Sequence, residues 1–74
     1  MKLRTEYRLG KHYGAAVWWK VFLDDVFIGS VDRVRPKTYF CCYKNGLKIG
    51  VKTTKEEAFA CLERFYNKQL DNKR

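Results

Sequence analysis

Hydrophobic and polar side chains alternate with a period of two through most of the chain between Ala15 and Lys52. In the first such segment Val17, Trp19 and Val21 lie on one side of the alternation. This is the period of a β-strand, whose successive side chains point to opposite faces. The pattern predicts strands over residues 15–23, 26–31, 38–44 and 47–52.

Turn-forming residues separate these segments. Asp24-Asp25 predicts a tight turn between the first two strands. Pro36 ends the second strand because proline has no amide proton to donate to a strand ladder. Asn45-Gly46 predicts a two-residue type I′ hairpin turn, since both residue types tolerate the positive φ that this turn requires.

The period changes to that of a helix after the last predicted strand. Thr54 is a suitable N-cap, and Glu57 three residues later completes a capping box. Apolar residues then recur at i, i+3, i+4 and i+7, namely Ala58, Cys61, Leu62 and Phe65. We therefore expect a helix over residues 54–69.

The two ends of the chain show no clear period. Residues 1–14 are predicted to form a basic arm and residues 70–74 a polar tail. Between them lie the sheet, residues 15–52, and the helix, residues 54–69. The expected fold class is α+β, a small antiparallel β-meander of three to four strands with one C-terminal helix packed on one face. Residues 1–74 form a single domain in this prediction.

The predicted hairpins assign side chains to the two faces of the sheet. The first hairpin pairs Val21 with Ile28 on the face towards the helix. The second hairpin pairs Phe40 with Val51, and this apolar row is also predicted to face the helix. The face away from the helix then carries aromatic and basic side chains, namely Trp18, Phe22, Phe27, Tyr39, Tyr43, Lys20, Arg33, Lys48 and Lys52.

Monomeric proteins rarely leave an apolar face of this size uncovered, so the face is expected to have a function. The chain has 74 residues, with 16 Lys and Arg against 8 Asp and Glu, and a formal net charge of +8. Aromatic rings stack on nucleic-acid bases and cations neutralise phosphates, so such a face is typical of nucleic-acid binding. Two other interpretations stay open: the face binds a protein partner or a second copy of the chain, or the arm folds over it with Tyr7, Leu9 and Tyr13 as cover.

Short segments of the sequence resemble DNA-binding families. Residues 19–21, 27–31 and 54–58 are similar to the strand and helix-entry segments of the plant AP2-type domain and of the N-terminal arm-binding domain of phage and transposon integrases. These families lay a three-stranded sheet in the DNA major groove, so the resemblance implies DNA as the ligand. Residues 39–62 also resemble the second half of a double-stranded RNA-binding domain, which we rank second.

The nucleic-acid hypothesis assigns three kinds of contact to named residues. The predicted phosphate contacts are Lys20, Arg33, Lys48 and Lys52. The residues predicted for stacking or sugar packing are Trp18, Tyr39 and Tyr43. A mobile basic anchor is predicted from Arg4, Arg8 and Lys11. We expect DNA in preference to RNA. The alternative is a small interaction protein of the phage or prophage type that binds and modulates a larger protein, or a homodimer formed through the exposed sheet face.

The sequence offers little for catalysis or metal binding. His12 is the only histidine and Ser30 the only serine, so a nucleophile with its base and orienting group is hard to assemble. We expect no enzyme activity, no cofactor and no metal. Cys41 and Cys42 are adjacent strand residues that point to opposite faces, which disfavours a shared zinc ion with Cys61. Cys42 is predicted to pack beneath the helix and Cys41 to be the exposed thiol.

Cysteine count and hydropathy bear on location. Three cysteines cannot all pair within one chain, so free thiols in a reducing compartment are expected. No apolar run approaches the roughly 18 residues that cross a bilayer. Residues 1–4 lack the apolar segment of a secretory signal. We therefore expect a cytoplasmic protein without a membrane partner.

Overall fold

The fold is α+β, an antiparallel meander with one C-terminal helix, as the sequence predicts. A computed structural model describes residues 2–12 and 15–72 of the chain. The strands are β1 (Leu3–His12), β2 (Ala15–Leu23), β3 (Val26–Arg35), β4 (Thr38–Tyr43) and β5 (Lys48–Lys52), and the helix is α1 (Lys55–Asn72). The five strands follow one another across a single sheet in chain order, so the predicted count of three to four is one or two strands short.

The additional strand, β1, lies where the sequence analysis predicts a basic arm. Within it Leu3, Thr5 and Tyr7 alternate with charged residues, which is the same period of two that identifies the other strands. β1 pairs with β2 from Leu3 opposite Leu23 to His12 opposite Ala15. It therefore forms the edge of the sheet beside β2, rather than a cover over one face of the sheet.

The turn between β2 and β3 is formed as predicted, but the pairing beyond it shifts. Asp24 and Asp25 have φ of 50° and 65°, the left-handed pair that a type I′ turn requires. A bulge follows at Ile28, so that Val21 pairs with Gly29 instead of Ile28. The extra residue moves the rest of β3 by one position, and Trp19 consequently pairs with Val31.

The turn between β4 and β5 is not the predicted type I′ turn. Gly46 has a φ of 87°, whereas Asn45 keeps a negative φ. The Gly46 amide donates to the Tyr43 carbonyl at 2.8 Å, and the Tyr43 amide donates to the Leu47 carbonyl at 2.7 Å. This arrangement is a four-residue turn that ends in a left-handed glycine. Farther from the turn, Phe40 pairs with Val51 as predicted.

Helix α1 begins with the predicted cap. The Glu57 amide donates to Thr54 Oγ1 at 3.2 Å, and the Thr54 hydroxyl donates to the Glu57 carboxylate at 3.0 Å. The helix continues to Asn72, three residues beyond the predicted end and into the segment predicted as a tail, of which residues 73–74 lie outside the described part. Within residues 2–12 and 15–72, no helix is both long and apolar enough to cross a membrane.

The core lies between α1 and one face of the sheet. Its fully buried side chains are Val21, Leu23, Ile28, Val31, Cys41, Ala58 and Leu62. Gly29 allows the close approach, because a Cβ there would lie 2.2 Å from the Cys42 carbonyl oxygen and 2.8 Å from Leu62 Cδ2. We call the sheet face that contacts α1 the helix face, and the opposite one the outer face.

Candidate nucleic-acid interface

Strands β1 and β2 present three basic side chains and two large aromatic side chains on the outer face. Because Val21 and Trp19 pack into the core on the helix face, the alternate residues Trp18, Lys20 and Phe22 point to the outer face. Their partners on β1 lie on the same face, since directly paired residues share a face. The β1 side chains on the outer face are accordingly Arg4, Glu6 and Arg8.

Strands β3 to β5 complete the outer face with a different set of side chains. Trp18 pairs with Asp32, Asp32 with Phe40, and Phe40 with Val51 in one row across the sheet. A second row carries Lys20, Ser30, Cys42 and Lys48. The outer face therefore carries its basic residues on β1, β2 and β5, and its centre on β3 and β4 holds Ser30, Asp32, Phe40 and Cys42.

Two aromatic residues predicted for the outer face lie on the helix face instead. The ring centroid of Tyr43 is 4.8 Å from that of Phe65 on α1, and that of Tyr39 is 6.1 Å from that of Trp19. The face assignment of Tyr39 and Tyr43 was therefore wrong. Lys52 pairs with Tyr39 and lies on the helix face with it.

The same shift places Arg33 on the helix face. The predicted pairing set Arg33 beside Trp18 and Lys20, but the bulge at Ile28 turns β3 by one residue. Arg33 pairs with Val17 and with Tyr39, and its side chain is exposed near the turn that precedes β4. A slip of one residue moves a whole strand segment from one face to the other, which is why these assignments failed together.

The predicted contacts thus divide into two groups. Trp18, Lys20, Lys48, Arg4 and Arg8 share the outer face, whereas Arg33, Tyr39, Tyr43 and Lys52 lie on the helix face. The Lys11 side chain lies outside the described part of the structure, so its predicted role stays a prediction. The outer-face aromatic residue that the sequence analysis misplaced is Phe40, which it assigned to the core.

A charged ladder runs along β1 on the outer face. Glu6 accepts hydrogen bonds from Arg4 Nη1 at 2.7 Å and from Arg8 Nη2 at 2.8 Å. The Arg4 hydrogen bond and the charge of both guanidinium groups lower the pKa of Glu6, and the same contact raises the pKa of Arg4. Arg4 also reaches Asp25 at 3.3 Å. These acids orient the two arginines along the strand but offset part of their charge.

Two cations on the outer face lie over aromatic rings. The Arg4 guanidinium is 4.2 Å from the Phe22 ring centroid, and Lys48 Nζ is 4.4 Å from that of Phe40. Phe22 in turn packs edge to face against Phe27, with centroids 5.7 Å apart. One face of the Phe22 ring is therefore covered by the Arg4 guanidinium, and one face of the Phe40 ring by the Lys48 ammonium group.

The centre of the outer face holds a buried carboxylate. Asp32 is fully buried, and the Cys42 thiol lies 3.8 Å from its Oδ2 in hydrogen-bonding geometry. Burial and the adjacent Asp32 charge raise the pKa of Cys42 to about 11, while Lys48 opposes this shift. A cavity of about 220 Å³ lies here, lined by Asp32, Phe40, Cys42, Gly46 and Lys48. Cys42 thus faces away from the helix, contrary to prediction.

Cys41 lies on the helix face and is fully buried, so the prediction of an exposed thiol was also wrong. Burial, and next the nearby Cys61, raise the pKa of Cys41 to about 12. Both neighbouring cysteines are therefore thiols rather than thiolates near neutral pH. Neither has the lowered pKa of a reactive nucleophile.

The outer face has dimensions that can be compared with those of DNA. Adjacent strands lie about 4.8 Å apart, so Lys20 on β2 and Lys48 on β5, three strands apart in one row, originate about 14 Å from each other. The B-DNA major groove is about 12 Å wide.

Comparisons of the chain with protein-family models, with curated proteins and with solved structures find no match.

Proposed function

We propose that this protein binds double-stranded DNA through the outer face. Four cations, Arg4, Arg8, Lys20 and Lys48, would contact phosphates, and Trp18 would pack against a sugar or base edge. The observation that supports the proposal best is that these five side chains share one sheet face that α1 leaves uncovered. The formal charge of +8 adds a general attraction for a polyanion.

The cation–ring contacts favour a duplex over a single strand. Single-stranded nucleic acids bind through bases that stack on open aromatic faces. Arg4 already occupies the Phe22 ring and Lys48 the Phe40 ring. A phosphate can approach either cation without displacing it, whereas a base would have to displace it first.

The spacing of the lysines fits phosphates on the two sides of one groove. Five strands span about 19 Å, which is too wide for the whole outer face to enter a groove of about 12 Å. Lys20 and Lys48 start about 14 Å apart, and their side chains can each reach towards one phosphate backbone. The sheet would then lie across the groove, with Trp18 and the centre of the face above it.

Two acidic groups on the outer face support a second candidate. Glu6 lies between Arg4 and Arg8, and Asp32 is buried at the centre. A surface with both signs of charge and exposed aromatic rings also suits a protein partner. The second candidate function is therefore that of a small interaction protein of the phage or prophage type, which modulates a larger protein.

Matched lysine variants test the DNA proposal. Binding to a fluorescent duplex is measured at several salt concentrations for Lys20→Ala and Lys48→Ala on the outer face. The controls, Lys52→Ala on the helix face and Lys68→Ala on α1, remove the same charge elsewhere. Loss of one phosphate contact should reduce the slope of log affinity against log salt by about 0.9. Only the two outer-face variants are expected to show this reduction.

The possible outcomes separate the candidates. Equal weakening by all four variants would show that attraction is diffuse and would overturn the assignment to the outer face. Stronger binding of a single strand than of the duplex would contradict the groove geometry. An absence of DNA binding at near-physiological salt would reject the proposal and leave the protein-partner candidate.

A further inference from the structure

The free edge of β1 has the features of a strand that pairs with another strand. β1 is ten residues long and lies at the end of the strand order, with β2 on its one paired side. Two of its helix-face side chains are well exposed, Tyr7 at 56% and Leu9 at 74%. A long edge strand with exposed apolar residues is a template for strand addition unless something protects it.

The hydrogen-bonding direction of β1 follows from one bond near its start. The Asp24 amide donates to the Lys2 carbonyl at 2.9 Å, so the backbone groups of Lys2 face β2. In an antiparallel ladder the direction alternates from residue to residue. The amide and carbonyl groups of Thr5, Tyr7 and Leu9 therefore point away from the sheet, where they are available to another strand.

The opposite edge of the sheet is a poor partner for β1. β5 has only five residues, and both of its ends carry a lysine, Lys48 and Lys52. Charged residues on a short edge strand oppose pairing. β1 itself carries Arg4 and Arg8, so contact between β1 and β5 would bring basic residues together. The charge pattern of β1 has a better complement in another copy of β1.

We propose that two copies of this protein pair through β1 in antiparallel orientation, with Tyr7 opposite Tyr7 of the second copy. In this register Glu6 lies opposite Arg8 of the second copy, and Thr5 lies opposite Leu9. A register centred on Glu6 would instead place glutamate against glutamate and Arg4 against Arg8. The order of charges, Arg4, Glu6, Arg8, therefore favours the register centred on Tyr7 over the register centred on Glu6.

The result would be one continuous ten-stranded sheet. The twofold axis of such an antiparallel pair is perpendicular to the sheet, so the two outer faces point in the same direction. The dimer does not depend on DNA binding, and its tests use no DNA. It would however place two copies of Arg4 and Arg8 side by side at the centre of a doubled surface.

A charge-exchange experiment tests both the dimer and its register. Mass is measured by sedimentation equilibrium through the micromolar range for the wild type, for Glu6→Arg and for Arg8→Glu. Each variant puts like charges opposite each other twice in its own homodimer, and each should raise the dimer dissociation constant by at least about tenfold. A mixture of the two variants restores opposite charges at both positions and should form a heterodimer. Glu56→Arg, a charge reversal at an exposed position of α1, should leave the dimer unchanged.

Amide exchange provides a second readout that does not need the variants. The amides of Thr5, Tyr7 and Leu9 should exchange more slowly as wild-type concentration rises, whereas that of Asn45, in the exposed turn between β4 and β5, should not change. A wild type that stays monomeric throughout the range overturns the proposal. A dimer that resists both charge reversals, or variants that do not associate when mixed, would show that the chains pair elsewhere or in another register.

Discussion

Replacing Leu62 by alanine measures the contribution of α1 to the fold. Leu62 is fully buried at the point where the helix approaches Gly29, and a substitution to alanine removes three carbon atoms from the centre of the core. Substitutions of this kind at buried sites cost about 2–5 kcal/mol, because a cavity remains where the side chain was. A domain of this size has a stability of about 4–11 kcal/mol, so the variant should lose a large part of it.

Leu70→Ala is the matched control for this change. It makes the same substitution in the same helix, but Leu70 is 46% exposed and outside the core cluster. The helix propensities are the same in both cases, so the difference between the two variants reports burial. Urea unfolding followed by circular dichroism gives both free energies. A loss of less than about 1 kcal/mol for Leu62→Ala, or equal losses for the two variants, would refute the placement of the helix.

Three further predictions concern the sheet. Gly29→Ala should destabilise the fold by about 1–3 kcal/mol in thermal or urea unfolding, because its Cβ would meet the Cys42 carbonyl oxygen at 2.2 Å. A Cβ at Gly50 has Cys61 Sγ as its nearest neighbour, at 3.4 Å, so Gly50→Ala should cost clearly less. The thiols of Cys41 and Cys42 have raised pKa values, about 12 and about 11, so alkylation of the folded protein should be slow and should follow unfolding. Both pKa values exceed the usual 9.0, so the protonated thiols are favoured more in the folded than in the unfolded protein. Their contribution to the free energy of unfolding is therefore complete below about pH 9 and should be lost as pH rises towards 11–12. Urea titrations at increasing pH measure this loss.

Local signals in the sequence were sufficient to predict β2 to β5, the turn between β2 and β3, and the start of the helix. The alternation in β2 to β5, the aspartate turn and the Thr54 cap each act within a few residues, and the structure forms each of them. β1 has the same alternation, but its basic residues, together with the glycines at positions 10 and 14, favoured the interpretation of this segment as an arm. The alternation of Leu3, Thr5 and Tyr7 with charged residues, rather than the basic composition, indicates the strand.

The orientation of the strands was harder to predict, because it depends on single extra residues. The bulge at Ile28 is marked by the glycine that follows it, Gly29, but a glycine within a strand can equally serve close packing, and the bulge moves Arg33 to the other face. In the second hairpin both rows are apolar enough to form a core, so hydrophobicity alone did not distinguish Phe40 from Tyr39. The usable signal was Gly50, which pairs with Cys41 and marks the row that the helix approaches.

The two adjacent tryptophans provide the most direct test of the proposed interface. Trp18 lies on the outer face, whereas Trp19 packs on the helix face, with its ring 6.1 Å from that of Phe59. Their indole N–H signals can be followed separately by NMR while duplex DNA is added at near-physiological salt. We predict that the Trp18 signal shifts with saturation and that the Trp19 signal stays nearly in place. A shift of Trp19 as large as that of Trp18, or no shift of either, would contradict binding through the outer face.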